Sequence, residues 1–404
     1  MLNIAFLFSL LLLIAVIVEP YSKKLHIPFT SFLVIIGFVV SELLVSFGID
    51  TGLRWHSFVN IILYLFVPII VFEAAFNINF NALLSNIKTI LFLAIPAMIF
   101  ASAITGLLIF LLIGNNTYFP LTSALLAGVI LSATDPVAVI AIFKRLGAPP
   151  KLTTLLEGES LFNDATAIVL FTIIIGINLN ISHQESISIY FLKFFKSFIG
   201  GAITGYLSGY LTQCLFKPIT SYFGYTLVGI VSAVFSFYLA EEWLQVSGIV
   251  SVLITGVILG QSYRKQITID HGFASKYLEL NAYISNAILF LLIGITITPT
   301  MFTSHWLAMI IGIFSAILSR AIVIYGLLPP FIFSTKLETI TTADKHVLMW
   351  GGLRGAVSIA LALSIPTEVI GWNLIQSIIY GVVIFTLFVQ APIIDKLVIK
   401  TVTR

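Results

Sequence analysis

Charge is what this chain is shortest of: Asp, Glu, Lys and Arg make up 9% of its 404 residues, against about a quarter in soluble domains. Together with 59% hydrophobic residues and a mean hydropathy of +1.11, that scarcity excludes a soluble globular protein and indicates an all-α polytopic membrane protein. Long polar stretches are missing as well, so no soluble domain is expected beside the membrane part. Cysteine is nearly absent. The single Cys214 rules out an internal disulfide framework and a multi-cysteine metal centre, and reads as a small apolar helix residue. Histidines 26, 56, 183, 271, 305 and 346 all fall near predicted loops, which speaks against a histidine proton relay through the membrane. The chain also lacks a paired histidine-carboxylate motif, a GxSxG turn and a phosphate-binding glycine loop, so a membrane-embedded enzyme is disfavoured and no cofactor is expected.

What is present is a series of apolar runs. On a template of about 20 apolar residues per helix, thirteen spans are predicted, near residues 2–19, 29–47, 57–76, 88–114, 119–143, 157–178, 188–215, 224–243, 246–262, 277–298, 305–331, 344–365 and 372–394. The first, MLNIAFLFSLLLLIAVIVEP, has no basic residue before its apolar run and no small-x-small site after it, so it is read as a span and not a signal peptide. Lys and Arg test this count independently, because short cytoplasmic loops concentrate them. Lys23, Lys24, Lys88, Lys144, Arg145, Lys151, Lys217, Arg264, Lys265, Lys276, Lys336, Lys345, Lys396, Lys400 and Arg404 all fall on one side. Among the intervening loops only Arg54 appears, with Lys193 and Lys196 early in span seven. The expected orientation is therefore N-terminus outside and C-terminus inside the cell membrane.

Two spans carry helix-breaking residues. Thr134-Asp135-Pro136 lies in the middle of span five and Gly351-Gly352-Leu353-Arg354-Gly355 in span twelve. Proline removes a backbone donor and clustered glycines weaken a helix, so both are expected to unwind at mid-membrane. Seven spans apart, they run in opposite directions, the pattern of an inverted repeat. The glycines at 200, 201, 205 and 209 of span seven have the spacing of close helix packing.

Against this apolar background, five charges stand deep in the membrane: Asp135, Glu159, Asp164, Arg320 and Arg354. Glu157 and Glu73 lie nearer the ends of their spans, and Glu73 reads equally as a packing carboxyl or part of an ion route. At about 2.5–3.5 kcal/mol each, these charges must be paired or hydrated. Ser160, Asn163 and Asp164 stand at i, i+3 and i+4, so a hydroxyl, an amide and a carboxylate share one stripe of span six. These are hard oxygen donors of the kind that replace an alkali cation's water. Glu159 is rotated well away at regular helical spacing; either it serves another partner, such as one of the arginines, or the helix is irregular there.

The segments SATDPVAV, GESLFNDATAIVLF and WGGLRGAVSIALALSIP, in this order, resemble the signature segments of the monovalent cation:proton antiporter family that contains the NhaP-type and NHE-type sodium/proton exchangers. The resemblance implies an inverted-repeat antiporter fold with two broken, crossing helices. It makes Asp164 the carboxylate that carries cation and proton in turn, with Glu159 and Ser160 as further ligands or their support and Thr134 as a carbonyl donor. Asp135 would offset the helix ends at the crossing, Arg320 and Arg354 would be structural counter-charges, and Asn163 would stand where electrogenic relatives carry a second aspartate. It further implies a homodimer, with core helices about 88–178 and 305–394 moving against dimerisation helices about 1–76 and 188–298, all within one transmembrane domain, 1–404. The long hydrophilic tail of the animal members does not follow span thirteen, so a bacterial-type exchanger is expected. The expected activity is electroneutral exchange of one monovalent cation, Na⁺ before Li⁺ or K⁺, for one H⁺, serving sodium transport and pH homeostasis. The alternatives are a passive cation channel and a K⁺/H⁺ exchanger of the same fold. Expected partners are the transported ions, membrane lipid and a second copy of the chain; nothing points to nucleic acid.

Overall fold

A computed structural model describes residues 4–25, 29–47, 62–135, 139–140, 143, 150–179, 187–215, 217, 221–265, 271–335, 340–394 and 397. Among them fourteen helices occur: α1 (Ile4–Leu25), α2 (Phe29–Ser46), α3 (Ile62–Asn77), α4 (Phe80–Ile113), α5 (Leu121–Ser132), α6 (Pro150–Asn178) and α7 (Ile187–Leu215) form the first part. After them come α8 (Tyr222–Tyr238, continued by a π-turn Leu239–Trp243), α9 (Gly248–Lys265) and α10 (His271–Thr296). The series closes with α11 (Pro299–Ala321, continued through Ile322–Leu327 to Leu328–Thr335), α12 (Thr342–Trp350), α13 (Ala356–Leu363) and α14 (Trp372–Ile394). Since α12 and α13 are two halves of one span, the fourteen helices fill the thirteen expected spans. Seven of the described helices are long and apolar enough to cross a membrane.

The largest boundary difference is at α4, which starts at Phe80 and not near 88. Asn79 caps it, its side chain accepting from the Ala82 amide at 3.2 Å, and the first turns are diluted by Asn81, Ser85, Asn86 and Lys88. The polar side chains there lower the hydropathy without ending the helix, and Lys88 is exposed on its surface.

Helix packing sorts into two groups. In one, α4 packs on α5 and α11, α11 on α14, and α6 on α4 and α5. In the other, α2 packs on α10, and α9 on α7, α3 and α8. The glycines of α7 serve this second group: a side chain at Gly201 would strike the Ser247 carbonyl just before α9, and one at Gly205 the α9 backbone at Ser251. The groups meet through α6, α13 and α14. Thr296 of α10 lies 3.3 Å, hydroxyl to hydroxyl, from Tyr380 of α14, and Ser31 of α2 donates to the Leu387 carbonyl at 3.4 Å.

Candidate functional site

Two chain breaks lie against each other where the two halves of the fold meet. Span five stops being helical after Ser132. Ala133 is extended (φ −64°, ψ 135°), and Thr134 and Asp135 stay outside any helix; Pro136 lies outside the described residues. Asp135 precedes a proline, which disfavours helical backbone at that residue. Span twelve breaks over Gly351–Gly355, between the end of α12 and the start of α13. The breaks are joined by backbone: the Asp135 amide donates to the Leu353 carbonyl at 2.7 Å. Buried peptide groups freed by unwinding need such partners, and here each break supplies them to the other.

Charges complete the junction. Asp135 Oδ2 accepts from the Ala356 amide at 3.4 Å, so a carboxylate faces the N-terminus of α13. At the opposite end, Arg320 Nη2 donates to the Leu348 carbonyl at 3.0 Å and Arg354 Nη1 to the Gly352 carbonyl at 2.5 Å, so cations face the last turn of α12 and the carbonyl beyond it. Gly355 is what lets Asp135 come this close, because a Cβ there would coincide with the Asp135 carboxyl group. Gly355→Ala is therefore expected to abolish transport and to lower the melting temperature in detergent. Gly326→Ala is the control; its nearest neighbour would be Ile322 Cγ2 at 4.0 Å, and it should melt like the parent.

Of the residues singled out in the sequence, Thr134, Ser160 and Asn163 come together. Ser160 Oγ donates to the Thr134 carbonyl at 2.5 Å, Asn163 Nδ2 donates to Thr134 Oγ1 at 2.7 Å, and all three are buried. Asp164, one residue on, is only partly buried, and among the described residues its carboxylate makes no hydrogen bond or ion pair. Asp135 is the other acid within Coulombic reach of it. The Ser160 hydroxyl thus ties α6 to the span-five break, and the uncommitted Asp164 carboxylate stands one helical turn along α6 from it.

Glu159 is elsewhere. It is 1% exposed and forms a two-pronged pair with Arg320, whose Nη1 meets Oε1 and whose Nη2 meets Oε2 at 3.1 Å. The helix is regular through this turn, so of the two alternatives for Glu159 the structure displays another partner. Arg354, buried at 5% exposure, has both Arg320 and Glu159 within Coulombic reach. Glu73 is half-buried on α3, accepting from Asn77 Nδ2 at 2.6 Å, and Asn77 in turn accepts from Ser275 of α10 at 2.9 Å. His305 and His346 stand inside α11 and α12, with Nδ1 at 3.1 Å from Ser377 Oγ and 2.6 Å from the Tyr325 hydroxyl.

Several residues that shape the site carry no charge. Three side chains of α14 hold the broken span twelve. Gln390 Nε2 donates to the Trp350 carbonyl at 2.8 Å, Gln376 Nε2 to the Ala362 carbonyl at 3.0 Å, and Thr386 Oγ1 accepts from the Arg354 amide at 3.4 Å. On α13, Ser358 Oγ donates to the Ala133 carbonyl at 3.3 Å. The available signal was polar side chains inside apolar runs, which costs free energy unless each finds a partner.

Two broken spans crossing in a helical bundle, with carboxylates and guanidinium groups at the crossing, define an ion-transporting membrane protein of the inverted-repeat class. The chain belongs to the sodium/hydrogen exchanger transmembrane family, whose pattern matches residues 9–400. It is 36% identical over 386 residues to the Na⁺/H⁺ antiporter ApNhaP of Aphanothece halophytica, covering 92% of this chain and 70% of that one. The Na⁺/H⁺ antiporter NhaH of Halobacillus dabanensis is 32% identical, with 96% of each chain covered. The fold matches the sodium proton antiporter MjNhaP1 of Methanocaldococcus jannaschii with a TM-score of 0.81 over 98% of both chains, at 21% identity. The protein is a transporter, and its long apolar helices are membrane spans.

Proposed function

We propose that this chain exchanges one Na⁺ for one H⁺ across the cell membrane by alternating access, with the two ions competing for Asp164. The single observation that carries the reading is the Asp164 carboxylate, uncommitted among the described residues and one helical turn along α6 from Ser160, whose hydroxyl donates to the Thr134 carbonyl. The relatives named as Na⁺/H⁺ antiporters support the choice of ions.

Coupling follows from charge. With the five deep groups ionised, Asp135, Glu159 and Asp164 stand against Arg320 and Arg354, three negatives to two positives. One cation or one proton at Asp164 brings the sum to zero. The unloaded site carries a net charge whose passage through a low-dielectric interior is costly, so only loaded forms cross. Proton and cation then move in opposite directions, one for one. Asn163 adds no charge to this sum.

The moving part in this reading is α4–α6 with α11–α14, sliding against α1–α3 and α7–α10; the second group also carries the contact between two copies of a homodimer. The expected termini are N-outside and C-inside, from the one-sided Lys and Arg. Reconstituted vesicles test the stoichiometry: imposing a potential of either sign should leave the initial rate of Na⁺-driven proton flux unchanged. A rate that rises with one sign and falls with the other would exclude one-for-one exchange.

A further inference from the structure

Ser358 is absent from the charged constellation, yet it touches the same three-residue stretch of unwound backbone. It sits in the first turn of α13, 1% exposed, and its hydroxyl donates to the Ala133 carbonyl at 3.3 Å. The next carbonyl, that of Thr134, accepts from Ser160 on α6. The next amide, that of Asp135, donates to Leu353. Ala133 is extended, and the carbonyls of Ala133 and Thr134 turn to different helices, the first to α13 and the second to α6. Pinning the Ala133 carbonyl toward α13 therefore aims the Thr134 carbonyl toward α6, where Ser160 and Asp164 stand.

We propose that Ser358 is a positioning residue for the cation: through the Ala133 carbonyl it sets the roll of the unwound strand, and so the direction in which the Thr134 carbonyl meets the ion. This rests on the reading of Asp164 and Thr134 as the exchange site. Ser358 itself touches neither ion. Its effect falls on the arm of the cycle that uses the carbonyl, which is cation binding. Protonation of Asp164 requires no carbonyl ligand.

Without the hydroxyl donor, the buried Ala133 carbonyl loses its partner and the strand is free to turn. A hydrogen bond of ordinary net strength corresponds to about a threefold to tenfold change in an equilibrium constant. Ser358→Ala is accordingly expected to raise the KM for Na⁺ by about that factor in proteoliposomes, with the maximal rate held within about twofold of the parent. Ser358→Cys, close in size but a weak donor, should behave like the alanine variant and covers the case in which alanine fails to fold.

Two readouts separate positioning from a merely structural role. The rise in melting temperature on adding Na⁺ to the detergent-solubilised protein should need more Na⁺ in both variants, read against each variant's own melting temperature without Na⁺, which the unpaired carbonyl lowers modestly. A KM unchanged in both variants, or a lost maximal rate at unchanged KM, overturns the role of Ser358. Absence of Na⁺-dependent proton flux in the parent protein overturns the exchange reading instead, so the two failures are told apart by the parent alone.

Discussion

Replacing Asp164 by asparagine should reduce Na⁺-dependent proton flux in proteoliposomes to the level of protein-free vesicles. The amide keeps the shape of the side chain and removes both abilities the cycle requires, since it neither releases a proton nor presents a negative charge to a cation. Loss of folding is not the expected cause. Among the described residues Asp164 has no hydrogen-bond or ion-pair partner to lose, so the melting temperature in detergent should stay close to the parent's or rise. What should disappear with the flux is the Na⁺-induced rise in melting temperature. A variant that still couples sodium entry to proton exit would show that the exchanged ions bind elsewhere, and Asp135, the neighbouring acid, would be the next position to change.

The second large effect is expected at Arg320. Arg320→Met leaves Glu159, 1% exposed, without its guanidinium partner, and it removes the donor to the Leu348 carbonyl at the end of α12. Breaking a buried pair from one side costs about 3–5 kcal/mol. That is a large share of the net stability of a domain. The variant should accumulate poorly and melt well below the parent. Adding Glu159→Gln to Arg320→Met removes the stranded charge and should recover much of the lost stability, because most of the penalty belongs to the unpaired carboxylate. Independent, additive effects of the two substitutions on melting would contradict the pairing.

Thirteen spans and both breaks were legible in the sequence for one physical reason. In a bilayer a backbone polar group facing lipid has to be satisfied within its own helix, so apolar length maps directly onto structure and a proline or glycine run stands out. The stripe of Ser160, Asn163 and Asp164 was legible for a related reason, since helical spacing alone places the three on one face. What spacing cannot supply is the partner on another helix. Glu159 was readable as turned away from Asp164, while its pairing with Arg320, 161 residues distant, depends on how α11 packs. The same holds for Gln376, Thr386 and Gln390, whose purpose is visible only once span twelve is seen lying along α14. The start of α4 is hidden from hydropathy for a simpler reason, since polar residues lower the local average without breaking a helix.

The bond between Asp135 and Ala356 joins residues 221 positions apart, and that between Ala133 and Ser358 joins residues 225 apart. At a synthesis rate of about 5–20 residues per second, the first partner waits on the order of 10–45 seconds for the second. During biogenesis the first half of the protein must therefore reside in the membrane with a gap in its fifth helix and acids lacking their later companions. Interim protection has to come from water, lipid headgroups or an insertion chaperone. Assembly of the crossing is then a late event, and truncation anywhere before the twelfth span should yield a species that quality-control proteases remove.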